Sequence, residues 1–385
     1  MLKTACLVAA LALACLLVRA ARVGIAGDYI DPVGKVAAAD EARYADGAVR
    51  MAHGEGPAIN EPPFLYWLAG ASARIGGVSR LALRAPVALA CALALALAFL
   101  WAAELNGPIA GVCAALLLAG NHLWHVLGSM CMADGLAAAL LVGALYALFW
   151  DPTLKSAGAL WGFAGATTAA ILTKGLAGAM PLAILAVYWL AARRNWRPSA
   201  GRALLAGALA LALAAPWFVY QWLAHGKWFL AEHAAGIPGY GAGENQILFY
   251  LARMSLLDPI LVAISLAALP ALAQALRRRE PAATLLAAWL AVGGSAALVW
   301  QSRNVAYLLP MIPAMAILAA SFGPFAKDQA ARPGLVLAIG ALVVKALMPS
   351  APWGISFTGA VTEPDITACQ ILEIQLLYDR LREIR

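Results

Sequence analysis

The polar stretch Asp40–Leu68 reads DEARYADGAVRMAHGEGPAINEPPFLYWL and stands out from a chain that is otherwise mostly apolar. It opens on two adjacent carboxylates, Asp40 and Glu41, and glycines and prolines interrupt it between residues 54 and 63. This pattern predicts a short helix on a membrane surface, a turn and a second interfacial helix. We expect the chemistry of the protein to lie in this stretch.

The spacing inside the stretch favours a small polar cluster. Arg43 and Tyr44 follow Asp40 by three and four residues, the separations at which helical side chains become neighbours. A nearby guanidinium favours the ionised form of a carboxyl, so we expect Arg43 to limit any rise in the pKa of Asp40. Consecutive helical residues point about 100° apart, so only one of Asp40 and Glu41 can face a cavity. Taken alone, such an acid pair is also typical of a solvated helix start.

Composition places the whole chain in a membrane. Of 385 residues, 63% are hydrophobic and 12% are charged, and the mean hydropathy is +0.79. These values are typical of a polytopic helical membrane protein, and the lack of strand-like alternation disfavours a barrel. The net charge of +7 does not indicate nucleic-acid binding, because basic residues cluster at helix ends. The six cysteines form no CxxC pair, so neither a disulfide framework nor a zinc site is inferred.

Long apolar runs predict the membrane spans. A helix needs about 20 apolar residues to cross the hydrocarbon core, and about eleven runs approach that length. They lie near residues 4–20, 83–101, 108–127, 133–150, 158–173, 176–192, 203–221, 256–276, 282–300, 305–322 and 333–348. The first run can be read as a signal peptide or as an uncleaved span; we favour the span, and the sequence leaves cleavage open.

Basic residues in the short loops predict the orientation. They fall on one side of the predicted membrane, which the positive-inside rule assigns to the cytoplasm: Lys155, Arg193, Arg194, Arg197, Arg202, Arg277, Arg278, Arg279, Lys327 and Arg332. The long loops at about 21–82 and 222–255 then face outside, together with Ser129–Asp134 and Thr173–Gly175. Ionisable groups are costly at membrane depth, so their convergence on one face suggests a shared cavity.

Two domains follow from this pattern. Residues 1–348 form a transmembrane domain, and residues 349–385 form a less apolar tail. The tail contains an amphipathic helix, because Ile371, Ile374, Leu377 and Leu381 recur at helical spacing. No internal repeat is visible, which disfavours a transporter built from inverted repeats.

Five motifs occur in a fixed order along the chain. They are Asp40-Glu41-x-Arg43-Tyr44-Ala45, the PPFLYWL block from Pro62, Ala133-Asp134, Leu172-Thr173-Lys174-Gly175 and Tyr307-Leu308-Leu309-Pro310. In this combination the chain resembles membrane glycosyltransferases of the GT-C superfamily over residues 1–325. The resemblance is greatest to the bacterial aminoarabinose transferase and protein O-mannosyltransferase group.

The resemblance implies an all-α polytopic enzyme of the bacterial cytoplasmic membrane. Such enzymes take a sugar from a polyprenyl-phosphate-linked donor at the outer face and pass it to a lipid, glycan or protein acceptor, usually with inversion. The acceptor here can be lipid A, another envelope lipid, a glycan or a secreted protein. No nucleic-acid partner is implied.

The resemblance also implies roles for single residues. Asp40 and Asp134 take the catalytic positions, and Lys174 lies near the donor phosphate. The resemblance implies donor or substrate binding by Arg43, Tyr44, Lys174 and Tyr307. Further candidates for donor or substrate binding are Glu41, Glu61, Tyr66 and His233. One departure stands out: the family usually has Lys before its Pro pair, whereas this chain has Glu61 before Pro62-Pro63.

The required chemistry can also be argued from the residues alone. Sugar transfer from a phosphate-linked donor needs a carboxylate base and cations for the leaving phosphate. Asp40 can supply the base, and Arg43 and Lys174 the cations. A divalent metal can share the phosphate charge, with Glu61, His225 and His233 as candidate ligands, although their spacing matches no recognised site.

Simpler readings remain open for the same residues. Asp134 also fits a helix cap, and Lys174 fits a snorkelling lysine. Two other functions are open: a lipid or solute transporter, and a non-catalytic subunit of a membrane complex. A transporter is expected to carry its charges near the membrane midplane, whereas here they gather at one face.

Overall fold

The computed structural model describes residues 2–22, 32–55, 61–227, 229, 246–299 and 305–323, and every regular element in these ranges is a helix. The predicted all-α polytopic fold is therefore confirmed. The α-helices are α1 Leu2–Arg22, α2 Pro32–Ala52, α3 Phe64–Gly76, α4 Arg80–Asn106, α5 Pro108–Ala119, α6 His122–Gly128, α7 Ala133–Trp150, α8 Ala157–Gly178, α9 Met180–Ala191, α10 Ala200–His225, α11 Gln246–Leu257, α12 Pro259–Arg277, α13 Pro281–Val299 and α14 Ile312–Phe322, with 3₁₀ helices at Arg194–Trp196 and Val305–Met311.

Within the described ranges, six helices are long and apolar enough to cross a membrane, or up to eight if each of two bent pairs counts as one span. The bent pairs are α5 with α6, at 68°, and α8 with α9, at 86°. The predicted count of about eleven is not confirmed. The predicted span at 333–348 and the tail at 349–385 lie outside the described residues.

The polar stretch forms two packed helices, α2 and α3, as predicted. Helix α2 begins at Pro32, however, so Asp40 and Glu41 lie in its middle and the reading as a solvated helix start is wrong. Gly47 allows the close packing, because a Cβ at this position would collide with the ring of Tyr66. Helices α2 and α3 therefore pack closely against each other beside Asp40 and Glu41.

Helix α4 lies at the centre of the bundle and packs against α1, α3, α5, α7 and α14. Its fully buried Trp101 stacks on Phe149 of α7, with ring centroids 4.5 Å apart. Trp101 also meets Trp289 of α13 at 5.9 Å. Aromatic pairs of this kind add to the energy of area burial, so this cluster holds three helices firmly together.

The direction of each helix determines at which end of the bundle its loops lie. Helix α7 runs away from Asp134 and the adjacent α8 returns towards Lys174, so both residues lie at one end. At the other end Arg202 Nη1 donates to the carbonyl of Leu154 at 3.5 Å. The basic connections before α8 and α10 therefore lie opposite the Asp134–Lys174 end.

Helix α8 is broken at the predicted Thr173–Gly175 joint. Lys174 has φ −140° and ψ 26°, and Gly175 has φ 56° and ψ −129°. Glycine populates positive φ without steric cost, whereas other residues are strained there. The break therefore depends on Gly175, and it turns the chain at the residue that carries the ammonium group.

Candidate active site

A buried ion pair forms the frame of the site. Arg84 donates through Nε and Nη2 to the two carboxylate oxygens of Glu41, each at 2.6 Å. Both side chains are only 2% exposed. Arg84 Nη1 also donates to the carbonyl of Ala20 at 2.8 Å, and the Cys131 amide donates to Glu41 Oε1 at 2.8 Å. The pair thus joins α1, α2, α4 and the turn before α7.

This geometry suits a buried charge pair. Removing two charges from water is costly unless the pairing is good and further hydrogen bonds satisfy the remaining atoms. A two-pronged guanidinium–carboxylate contact meets the first condition, and the Ala20 and Cys131 contacts help to meet the second. The frame fixes Asp40, the neighbour of Glu41, and Asp134, three residues after Cys131. The Glu41 carboxylate therefore belongs to the frame, where it binds Arg84 and the Cys131 amide.

Next to the frame lies a more open set of charges, Asp40, Arg43, Glu61, Asp134 and Lys174, which we call the charged cluster. Arg43 Nη2 lies 3.2 Å from Asp40 Oδ1 and 2.8 Å from Glu61 Oε1. The side chains of Asp40 and Arg43 are 45% and 59% exposed. The predicted contact between residues 40 and 43 is present, and it is accessible to a substrate.

Two tyrosines, Tyr66 of α3 and Tyr44 of α2, lie beside the charged cluster. The hydroxyl of Tyr66 donates to Glu61 Oε2 at 2.6 Å. Burial, together with the charge of Glu61, raises the pKa of Tyr66, so its hydroxyl stays neutral and remains a donor. The Tyr44 ring lies 5.8 Å from that of Tyr66, and the Arg43 guanidinium lies 5.4 Å from the Tyr44 centroid. The predicted residues Tyr44, Glu61 and Tyr66 are thus brought together around Arg43.

Lys174 and Asp134 form the second half of the cluster. Their side chains make an ion pair, and the Lys174 ammonium lies 5.8 Å from the ring centroid of Tyr307. Asp134 sits in the first turn of α7, where the helix dipole favours an acid. The N-cap is Met132, so Asp134 is not the cap. The lysine is thus held by a carboxylate at the break in α8.

The two halves of the charged cluster act on each other. Burial raises the pKa of Asp40, and Arg43 opposes this. The charges of Asp134 and Glu61 raise it further, whereas Lys174 lowers it. The net direction is upward, so Arg43 offsets only part of the other effects. A carboxyl with a raised pKa is a better proton acceptor than an ordinary one.

Only two of the three candidate metal ligands, Glu61 and His225, lie among the described residues. His225 ends α10, and His233 lies outside the described residues. In the part of the chain that the structure describes, no group of three or more His, Cys, Asp or Glu side chains could hold a metal ion.

Sequence reasoning missed one residue of the frame, Arg84. It lies five residues into an apolar span, at the fifth position of α4. Charged residues inside membrane helices are rare and usually paired, so this position could have indicated that Arg84 has a buried partner. Its partner was not readable, because Glu41 lies 43 residues away in the sequence.

The bundle is similar to a solved structure of ArnT from Cupriavidus metallidurans bound to undecaprenyl phosphate. The TM-score is 0.67 at 22% identity, covering 88% of this chain and 63% of that one. The chain has the GT-C fold. The apo state of the same ArnT matches with a TM-score of 0.64 at 22% identity, covering 82% of this chain and 58% of that one.

The GT-C fold also links the chain to an archaeal enzyme. The oligosaccharyltransferase AglB from Archaeoglobus fulgidus, in complex with an inhibitory peptide and a dolichol-phosphate, matches with a TM-score of 0.54 at 14% identity. The match covers 97% of this chain and 54% of that one. The chain thus spans between 54% and 63% of the length of these solved GT-C structures.

A family comparison points the same way. Residues 60–220 match the family described as dolichyl-phosphate-mannose-protein mannosyltransferase. This range contains Glu61, Asp134 and Lys174 and begins after Asp40. No curated protein matches the chain. The predicted resemblance to GT-C superfamily membrane glycosyltransferases is confirmed by the fold and by this family match.

Proposed function

We propose that this chain transfers a sugar from a polyprenyl-phosphate-linked donor to a lipid, glycan or protein acceptor. The observation that carries the proposal is the charged cluster, which places an accessible carboxylate and two cations at one end of a GT-C bundle. The matched ArnT structure holds undecaprenyl phosphate, and the matched AglB structure holds a dolichol-phosphate. These ligands support a prenyl-phosphate donor for this chain.

Asp40 is the proposed general base. Its side chain is 45% exposed, and its partial removal from water, together with the charges of Asp134 and Glu61, raises its pKa. In an inverting displacement the acceptor oxygen bonds to the anomeric carbon as the bond from that carbon to the phosphate oxygen breaks. The proton of the acceptor hydroxyl goes to Asp40, and the phosphate leaves with the bonding electron pair.

Lys174 and Arg43 are the proposed cations for the departing phosphate. Positive groups fixed where negative charge develops lower the barrier without reorganising during the reaction. Asp134 orients Lys174 through their ion pair, and the Tyr307 ring limits the space around the ammonium. The apolar helices that surround the cluster provide a surface for the prenyl tail.

We place this end of the bundle on the outer face of a bacterial cytoplasmic membrane. The support comes from the opposite end, where the connections before α8 and α10 carry Lys155, Arg193, Arg194 and Arg197. Helix α12 starts after Asp258, which accepts from Asn121 at the start of α6, and α6 contacts α2. The other end of α12 carries Arg277, Arg278 and Arg279. Basic residues concentrate in the short cytoplasmic loops of membrane proteins.

Mass spectrometry of envelope lipids and glycoproteins tests the activity. Cells that lack the gene should lose a sugar-bearing species that the wild-type chain restores and Asp40→Asn does not. If Asp40→Asn restored this species as well as the wild-type chain does, the catalytic proposal would be overturned and a non-catalytic subunit would be favoured. A change only in the distribution of an unmodified lipid would favour a transporter.

Cysteine labelling tests the orientation. In a chain whose native cysteines are replaced, Asp46→Cys should react with a membrane-impermeant reagent in intact cells. Arg278→Cys should react only after lysis, because it lies in the connection between α12 and α13. The reverse pattern would place the charged cluster on the cytoplasmic side and overturn the proposed location.

A further inference from the structure

Glu61 shares one nitrogen of Arg43 with Asp40. Arg43 Nη2 is 2.8 Å from Glu61 Oε1 and 3.2 Å from Asp40 Oδ1. Two carboxylates held at one nitrogen repel each other, and the like charge of Asp134 adds to this. In the charged cluster the carboxylates outnumber the cations by three to two.

A donor phosphate would meet this excess of negative charge. Adding it to Arg43 while both carboxylates remain would bring a third anion to one guanidinium. Exchanging it for one of the carboxylates would leave the number of anions on Arg43 unchanged. Phosphate is also a good partner for the flat guanidinium fork. Donor binding is therefore favoured when one carboxylate leaves.

The structure singles out which carboxylate can leave. Asp40 is fixed in the middle of α2, beside the buried frame residue Glu41. Asp134 is fixed in the first turn of α7 and is paired with Lys174. Glu61 lies outside any helix, just before α3, and its side chain is longer than that of aspartate.

Glu61 also has a second hydrogen-bond partner, Tyr66. Its other oxygen, Oε2, accepts a hydrogen bond from Tyr66 at 2.6 Å. The Tyr66 ring is fully buried and is held in place by α2 and α3. Rotation of the carboxylate away from Arg43 can therefore occur without loss of the contact to Tyr66.

We propose that Glu61 is a stand-in for the donor phosphate. It occupies Arg43 while the site is empty and withdraws onto Tyr66 when a polyprenyl phosphate binds. This inference rests on the proposed function, because it assumes that the donor phosphate contacts Arg43. Its consequence is a site that admits a phosphate only in exchange for a carboxylate, which weakens donor binding and keeps weaker anions off Arg43.

Lipid binding by the purified full chain in nanodiscs tests this exchange. The probes are undecaprenyl phosphate and undecaprenol, which shares the tail and lacks the phosphate. Glu61→Gln keeps the size of the side chain and an acceptor for Tyr66 while removing the charge. It should bind undecaprenyl phosphate about fivefold more tightly, a factor equal to the upper range for an exposed ion pair. Binding of undecaprenol should not change.

Two further variants control the result. Asp46→Asn removes a carboxylate from the same helix, where it pairs with Arg50 at 3.4 Å, and should leave both affinities unchanged. Tyr66→Phe keeps the charge of Glu61 but removes the resting partner, so it should weaken binding of undecaprenyl phosphate. The two variants are expected to change the affinity in opposite directions. Each has its own expected sign, so either one still tests the proposal if the other folds poorly.

The outcomes separate this inference from the proposed function. If the wild-type chain prefers undecaprenyl phosphate and Glu61→Gln binds it equally or less tightly, the stand-in is refuted and Glu61 only ties α2 to α3. If neither chain distinguishes undecaprenyl phosphate from undecaprenol, the proposed donor site itself is refuted.

Discussion

Two consecutive residues of α2, Asp40 and Glu41, both carry a carboxylate, but Glu41 is buried and Asp40 is nearly half exposed. The Glu41 side chain is 2% exposed, and its carboxylate accepts two bonds from Arg84 and one from the Cys131 amide. The Asp40 side chain is 45% exposed and contacts Arg43 at 3.2 Å. A rotation of about 100° around one helix axis separates the two settings.

The difference shows what each carboxylate can do. A buried ion pair is tolerated only when most of its donors and acceptors are matched, and a carboxylate buried in this way is out of reach of a substrate. A general base needs a lone pair within reach of the acceptor's proton. The Glu41–Arg84 frame therefore builds the site, and the charged cluster around Asp40 can react.

Exchanging the acids for amides should give the largest effect on transfer. Asp40→Asn keeps the shape but removes the basic oxygen, so sugar transfer should slow by about 10²–10⁴-fold. Glu41→Gln should lower the folded fraction and have much less effect on the rate per folded molecule. Both need assaying at equal membrane abundance with the same prenyl-linked donor. A wild-type rate for Asp40→Asn with an inactive, folded Glu41→Gln would reverse the two roles.

Breaking the frame should give the largest effect on stability. Arg84→Met leaves Glu41 buried without its counter-charge, which should lower the free energy of unfolding by about 3–5 kcal/mol. Denaturant unfolding in detergent measures this. The double change Glu41→Met with Arg84→Met should recover part of the loss, and not all, because Ala20 and Cys131 lose partners.

The surface pair Asp46–Arg50 on the same helix provides the matched control. Asp46→Asn should cost at most about 0.5 kcal/mol, since exposed pairs at this helical spacing contribute little. Equal losses for Arg84→Met and Asp46→Asn would show that the buried pair is not a structural frame.

Removing the second cation should give an intermediate effect. Lys174→Ala loses a charge-assisted contact to phosphate worth about 1.5–3 kcal/mol, so donor-dependent transfer should fall by roughly 10- to 150-fold. Lys174→Arg should retain much of the activity, because it keeps the charge beside Asp134. Donor titration of the purified variants measures both. Unchanged donor dependence in a folded Lys174→Ala chain would rule out this role.

The smallest effects should appear in the pH dependence. Arg43 lowers the pKa of Asp40, so Arg43→Gln should move the acid limb of the kcat/KM profile to higher pH. Glu61 raises that pKa, so Glu61→Gln should move the limb to lower pH. Transfer should rise with pH in each case, because only the ionised carboxylate accepts a proton. Shifts in the same direction for both variants would show that another group controls the limb.

Local signals predicted much of the site. The three-residue spacing placed Arg43 beside Asp40, and the turn residues between 54 and 63 separated α2 from α3. The Thr173–Gly175 motif marked the break in α8. Each of these features depends on a few neighbouring residues, so the sequence contains it directly.

Other features depend on distant partners or on weak preferences. The contacts of Glu41 with Arg84 and of Arg43 with Glu61 join segments that no spacing rule connects. The start of α2 at Pro32 was not predicted, because the polar stretch begins only at Asp40. The run VGKVAAA before it contains good helix formers, which extend the helix upstream.

Arg84 has a consequence for how the chain enters the membrane during synthesis. It lies near the start of α4, a helix long and apolar enough to be a span. Carrying an arginine into the hydrocarbon core is costly, by up to about 2.5–3.5 kcal/mol at the centre of a span. Glu41 is made 43 residues earlier, so the counter-ion already exists when the guanidinium leaves water. We therefore expect integration of α4 by the translocation machinery to depend on the carboxylate of the earlier helix α2.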